Sequence, residues 1–287
     1  MSDLTDDKSK GLLKNKSFWV RVASAIVYGA AFLACMILGG YFLWALLLVI
    51  SLIGLFEFNR AMSLHWGVFA WAGYIVTIAY YIMLLTVDST AYSFMLFGIL
   101  LIVDLAVFVF TYPRYSLEQA FAGFFEVFYV GVALSFIYLL RIHPPSGAYL
   151  VWLILISAFG SDIFAYLIGM LFGKTPLVPK LSPKKSVEGA IAGVVGAAIL
   201  ALIYGFVVQK YIPDVHMAPL VFPLITLFGA AAGQIGDLAA SAIKRKVGIK
   251  DYGKIIPGHG GVLDRFDSVI MVAPILYLIT IYLMVVG

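Results

Sequence analysis

Charge is what this chain has least of. Only 12% of its 287 residues are Asp, Glu, Lys or Arg, against about 25% in a soluble domain. With 63% hydrophobic residues and a mean hydropathy of +1.04, that scarcity excludes a water-soluble globular fold. The single cysteine, Cys35, lies in an apolar run, so no intrachain disulfide can form. A cleavable-signal pattern is missing as well: Met1 to Ser17 is a mixed-charge tail leading into a full-length apolar span. The chain also lacks a GxxxxGK[ST] phosphate loop, a convincing internal repeat and any low-complexity segment. Without a repeat, the inverted-repeat plan of many transporters has no support.

What fills the chain instead is apolar helix. Windows of roughly 17 to 25 apolar residues, the length that crosses about 30 Å as helix, recur at 20–38, 41–58, 68–87, 91–110, 120–140, 147–172, 187–208, 218–242 and 266–286. The expected fold is all-α: a polytopic integral membrane protein with about nine transmembrane helices, one membrane domain over 1–287. Its two parts differ in character. Residues 1–146 are spans with short loops, whereas 147–287 carry long polar segments at 173–186 and 243–265. Nine spans place the termini on opposite sides. Of the nineteen Lys and Arg residues, all but Arg141 and Lys210 then share the side of the N-terminus. The positive-inside rule makes that side cytoplasmic and puts Gly287 outside. The net charge of +4 therefore marks a membrane face that attracts lipid headgroups or nucleotide phosphates, and nucleic acid is not expected as a partner.

The polar chemistry is concentrated in Ser241–Asp267, SAIKRKVGIKDYGKIIPGHGGVLDRFD, which holds six of the nineteen cations. Asp237 stands just before it, at the end of an Ala/Gly-rich apolar run. Asp237, Ser241 and Lys244, at spacings of four and seven, share one helix face. Asp264 and Asp267 are spaced i, i+3 at the start of the last span. Gly258, Gly260 and Gly261 let the backbone turn tightly and approach a ligand, and Gly-rich turns ahead of a helix suit anions. His259 either donates to a phosphate or caps the loop. Cations, carboxylates and glycines gathered at a membrane surface suggest a site for phosphates and a divalent metal; the competing reading is an interfacial ion-pair cluster. Charges in hydrocarbon cost about 2.5 to 3.5 kcal/mol each, which makes Asp162, deep in span six without a local partner, hard to explain structurally. Asp104 and Glu126 read as structural hydrogen-bonding groups, and Glu57 is a weaker candidate near a span end. Between Gly173 and Glu188 lies a basic loop broken by prolines, which preclude a continuous helix. Its lysines could hold a phosphate, and Glu188 reads as a cap. Gly189, Gly193 and Gly196, at helical spacing, read as a helix-packing face.

These residues carry a resemblance. Ser241, Lys244-Arg245, Lys250-Asp251 and Pro257-x-His259-Gly260-Gly261-Val262-x-Asp264-Arg265-Phe266-Asp267 resemble the signature of CDP-diacylglycerol synthases, the phosphatidate cytidylyltransferases. Ser161-Asp162-x-x-Ala165-Tyr166, Gly173-Lys174 and Pro179-Lys180-x-Ser182-Pro183-x-Lys185-Ser186-x-Glu188-Gly189 are similar to the same family's second block. The first half matches in hydropathy and length alone. The resemblance implies an enzyme of phospholipid biosynthesis in a bacterial plasma membrane, with its site facing the cytoplasm. It would join CTP and phosphatidic acid into CDP-diacylglycerol and pyrophosphate, with Mg²⁺ required and a second cation left open. Asp237 and Asp264 are the expected metal ligands. Lys244, Arg245, His259, Arg265 and Asp267 join them as catalytic candidates. Asp162, Lys180, Ser182, Lys184, Lys185, Ser241, Gly260 and Gly261 are expected to bind substrate. Ala240 departs from the family, which often has an acid there, so a third acidic ligand from that helix is in doubt. Membrane lipids are the expected surroundings, and a homodimer stays open. Two other readings compete: a different CTP-using membrane enzyme of the polyprenol or phytol kinase type, and a cation transporter using Asp104, Glu126 and Asp162. CDP-alcohol phosphotransferases are disfavoured because no DGxxAR motif occurs.

Overall fold

Each apolar window forms a helix, because in hydrocarbon every backbone N–H and C=O must be satisfied within its own segment. The computed structural model describes residues 16–64, 66–87, 90–258 and 260–286. Among these, the main helices are α1 (Lys16–Leu38), α2 (Gly40–Ala61), α3 (Val68–Thr86), α4 (Thr90–Phe110), α5 (Leu117–Ile142), α6 (Gly147–Phe172), α7 (Val187–Val208), α8 (Ala218–Lys246) and α9 (Leu263–Val286). Helices α2 to α9 are long and apolar enough to cross a membrane; in α1 the apolar stretch, Ala23–Leu38, is shorter. The structure is thus an all-α polytopic membrane protein, as expected.

Contacts between distant residues fix the helix directions. The Ser24 hydroxyl donates to the Pro257 carbonyl at 2.9 Å, so α1 starts at the end that holds the polar segment before α9. Gly39 lies against the Arg141 guanidinium at the other end. Helix α2 then returns, and its Glu57 meets Val262 and Leu263. Among the described residues, Arg141 and Lys210 lie at one end. Arg60, Arg114 and the cations of both polar segments lie at the other.

Helices α6, α7, α8 and α9 pack in succession, and α9 leans on α5. The α6–α7 contact is backbone against backbone. A Cβ at Gly189 would stand 2.7 Å from the Ala165 carbonyl oxygen and 3.1 Å from Gly169 Cα. The small-residue face read from the sequence is therefore a packing face.

Three local features position the site. Helix α6 contains a π turn over Ile156–Gly160, directly before Ser161 and Asp162. One added residue in the turn re-aims the side chains after it, which is why such turns recur at functional sites. The proline-broken segment folds as an antiparallel hairpin of β1 (Pro176–Val178) and β2 (Ser182–Ser186). Ser186 accepts from the Gly189 N–H at 3.1 Å and so caps α7, while Glu188 accepts from the backbone N–H of Lys174 and Thr175 at 3.1–3.2 Å. Helix α8 has 29 residues, roughly 44 Å at 1.5 Å per residue. Its last turn, Lys244–Lys246, therefore extends beyond a hydrocarbon layer of about 30 Å.

Candidate active site

The site lies where α6, α8, α9 and the β1–β2 hairpin meet. From α8, Asp237 forms an ion pair with Lys185 of the hairpin. Further along the same helix face, Lys244 Nζ stands 2.9 Å from Asp264 Oδ1 and 3.9 Å from Asp267 Oδ2. The carboxylates of Asp162 and Asp267 each feel the charge of Asp237, and Asp267 also feels Asp162. Three acids, at 237, 264 and 267, thus pair with two lysines, and Asp162 lines the same cleft as Lys185.

The acids differ in how much bonding capacity they keep. Asp264 is 4% exposed. Its Oδ2 accepts from the backbone N–H groups of Tyr252 (2.8 Å) and Gly261 (3.0 Å), and its Oδ1 takes Lys244. Asp237, with 25% of its side chain exposed, and Asp267, with 13%, are freer; Asp267 accepts from the Ser268 N–H. Tyr252 packs under Lys244, whose ammonium sits 5.3 Å from the ring centroid. Burial above all, then Tyr129 and the two nearby carboxylates, pushes the Tyr252 phenol up. It stays neutral, its hydroxyl 3.4 Å from the Ala240 carbonyl. Ala240 itself is fully buried beneath it.

Beside the acids a cleft of about 360 Å³ opens between α6, α7 and the hairpin. Tyr166, Met170 and Leu177 give it apolar lining, and Asp162, Ser182, Lys184 and Lys185 give it polar lining. Gln234 of α8 forms part of the wall, donating to Ser161 Oγ (3.1 Å) and the Ala190 carbonyl (2.9 Å) and so binding three helices together.

Most of the expected residues gather here. Ser241 lies half-buried on α8 between Asp237 and Lys244. Gly260 has φ +90°, and an added Cβ would stand 3.3 Å from Asp264 Oδ2; Gly261 supplies its N–H to the same oxygen. Lys180 is exposed in the hairpin turn and does not line the cleft. Arg245 turns to the Ile249 carbonyl, and Arg265 is exposed at the start of α9. His259 lies outside the described residues. Asp104 and Glu126 are buried within α4 and α5. Glu126 faces Gly73 of α3, and neither it nor Asp104 lines the cleft that Asp162 lines.

A divalent cation fits this donor set. Asp264 and Asp267 share the one Lys244 ammonium where little of either side chain is exposed, which leaves a negative charge that is costly unless compensated. Among the described residues, no group of three or more His, Cys, Asp or Glu side chains forms a metal cage. Mg²⁺ needs no such cage, because it takes one or two carboxylates and keeps water or phosphate oxygens elsewhere.

Comparisons with known proteins give the family. The profile of the cytidylyltransferase family matches residues 19–283. The phosphatidate cytidylyltransferase of Staphylococcus epidermidis is 33% identical over 267 residues, 91% of this chain and 98% of its own. Those of Bacillus subtilis and Aquifex aeolicus are 38% identical over 187 residues and 40% over 184. These two matches cover 63% and 62% of this chain, and 65% and 64% of the relatives. The chain belongs to the cytidylyltransferase family, among the phosphatidate cytidylyltransferases that its polar blocks resemble, and it spans a little under two thirds of the length of the Bacillus and Aquifex relatives.

Proposed function

We propose that the chain transfers the cytidylyl group of CTP to phosphatidic acid, giving CDP-diacylglycerol and pyrophosphate. The mixed lining of the cleft carries this reading. Its Tyr166, Met170 and Leu177 suit an acyl chain, and its Lys184 and Lys185 suit the phosphate at that chain's head. In the reaction a phosphate oxygen of the lipid bonds to the α-phosphorus of CTP, the Pα–O–Pβ bond breaks, and pyrophosphate leaves. The lipid phosphate is already ionised, so no side chain has to remove a proton. The residues instead orient two anions that repel each other. Lys184, Lys185 and Ser182 hold the lipid phosphate, which requires Lys185 to exchange Asp237 for it. Lys244, with Arg245 and Arg265 at the rim, attracts the triphosphate. Asp237 and Asp264 would hold Mg²⁺, and Asp267 and Asp162 would be available to a second cation. When bound, Mg²⁺ would neutralise charge on phosphate oxygens and on the leaving pyrophosphate.

The test is pyrophosphate release by the purified protein in the presence of CTP and phosphatidate. Release that requires both substrates supports the reading. Phosphorylation of a polyprenol or phytol, without pyrophosphate release, replaces it with the lipid-kinase alternative.

In this reading the site faces the cytoplasm of a bacterial plasma membrane, which the one-sided cation distribution supports. On a Cys35→Ser background, Lys250→Cys should resist a membrane-impermeant maleimide in sealed cells and react once they are permeabilised. Lys210→Cys should do the opposite. Reaction of position 250 in sealed cells reverses the orientation.

A further inference from the structure

The site acids are held in place from the other half of the molecule. Glu57 lies on α2 and is fully buried, yet its carboxylate is not idle. Oε1 accepts from the Val262 N–H at 3.1 Å, and Oε2 from the Leu263 N–H at 2.8 Å. Leu263 opens α9 and Val262 stands just before it, so no intrahelical carbonyl can satisfy either N–H. A carboxylate there also meets the positive end of the helix dipole. Helix α9 is therefore capped by a residue more than two hundred positions away in sequence.

The chain makes room for this contact. A Cβ at Gly261 would stand 2.5 Å from both Glu57 oxygens, and one at Gly253 would collide with Oε1. One helical turn beyond Glu57, Arg60 Nη2 donates to the Tyr252 carbonyl at 2.6 Å. Glu57 and Arg60 thus grip the polar segment at both ends, at 252 and at 262–263. Between these grips, the N–H groups of Tyr252 and Gly261 hold Asp264 Oδ2. Asp267 stands one turn later on the same helix.

We infer that Glu57, assisted by Arg60, is the positioning residue for the catalytic segment: it caps α9 from α2 and thereby sets where Asp264 and Asp267 stand. The coupling to turnover rests on the proposed metal site; the grip itself does not. Both Glu57 oxygens are taken by backbone N–H groups. A change there reaches catalysis only by letting 252–264 move.

Two measurements on purified Glu57→Gln separate the possibilities. Gln keeps the size but offers one oxygen and turns an amide N–H₂ toward a backbone N–H. Hydrogen–deuterium exchange should accelerate in peptides covering 252–264 and stay unchanged in α3 and α4. The Mg²⁺ concentration for half-maximal turnover should rise by about tenfold, the size of effect seen when a supporting partner of a metal ligand is lost. KM for CTP and for phosphatidate should stay within about twofold, since metal support rather than substrate contact is lost. Tyr81→Phe is the stability control. It removes the 2.9 Å bond to Ser51 in the middle of α2 and should leave the Mg²⁺ requirement alone. Arg60→Met gives a second, milder variant, with faster exchange around 252, should Glu57→Gln not accumulate.

Unchanged exchange at 252–264, or acceleration spread over the whole chain, overturns the grip. Local acceleration with an unshifted Mg²⁺ requirement overturns its link to the site, provided that Asp264→Asn does shift that requirement. If Asp264→Asn leaves the Mg²⁺ dependence unchanged, the metal assignment is what fails, and the exchange result alone decides the role of Glu57.

Discussion

Asp237→Asn and Asp264→Asn are each expected to remove turnover, but they should part in stability. Both acids are proposed ligands of one metal site, so losing either disables the same unit. A loss on the order of a thousandfold is the scale for such a group, and the double variant should be hardly worse than either single one. Stability separates them because their surroundings differ. Asp237 pairs with Lys185, and both side chains are a quarter to a third exposed. Such a pair contributes about 0–1 kcal/mol, so Asp237→Asn should melt near the wild-type temperature. Asp264 is buried and bonded to Lys244 and two backbone N–H groups. Removing one charge from a buried pair costs about 3–5 kcal/mol, so Asp264→Asn should melt well below wild type and still be inactive where it stays folded. Thermal melts and CTP–phosphatidate turnover, both across a Mg²⁺ titration, supply the check. Full activity with unchanged Mg²⁺ dependence in either variant removes that residue from the metal site. Residual activity proportional to the folded fraction would favour the plain ion-pair cluster.

The spans and the acids are legible in the sequence for different reasons. A membrane helix announces itself over a local window, because the bilayer requires a certain length of apolar residues and nothing else nearby. The Lys244 to Asp267 block is legible because its cations, glycines and carboxylates sit within one short stretch. The rest depends on contacts between residues far apart in the chain. Lys185 and Asp237 are 52 positions apart, and neither spacing nor composition joins them. Glu57 reads as an acid at a span end, although its spacing of three from Arg60 inside an apolar helix is a usable signal. The π turn before Asp162 has no sequence mark, since its residues ISAFG are ordinary apolar and small ones. The hairpin at 176–186 reads as a loop because prolines exclude helix without saying what replaces it. Nor can spacing reveal that Asp264 commits three bonds to protein donors while Asp237 keeps its capacity.

Lys244→Met should turn a stable cluster into one that depends on metal. The Lys244 ammonium is the only cation shown contacting Asp264 and Asp267 among the described residues, at 2.9 and 3.9 Å. Its side chain is 11% exposed, so water screens the pair poorly. Met keeps most of the volume over the Tyr252 ring and removes the charge. Without metal, two buried carboxylates then face each other with no counter-ion, which costs about 3–5 kcal/mol. The melting temperature in EDTA should fall sharply. Added Mg²⁺ should restore more stability than it gives wild type, because binding to the folded state stabilises by RT ln(1 + [L]/Kd), about 2.7 kcal/mol at one hundred times Kd. A site with one more uncompensated negative charge has the lower Kd. Turnover should still fall by about a hundredfold, because Lys244 also holds Asp264 in place, and loss of such a supporting partner costs up to that factor. Lys246→Met, at the same helix end but outside these ion pairs, should change neither quantity. An unchanged melting temperature in EDTA, or a Mg²⁺ increment no larger than wild type, would show that Lys244 is not standing in for part of the metal's charge.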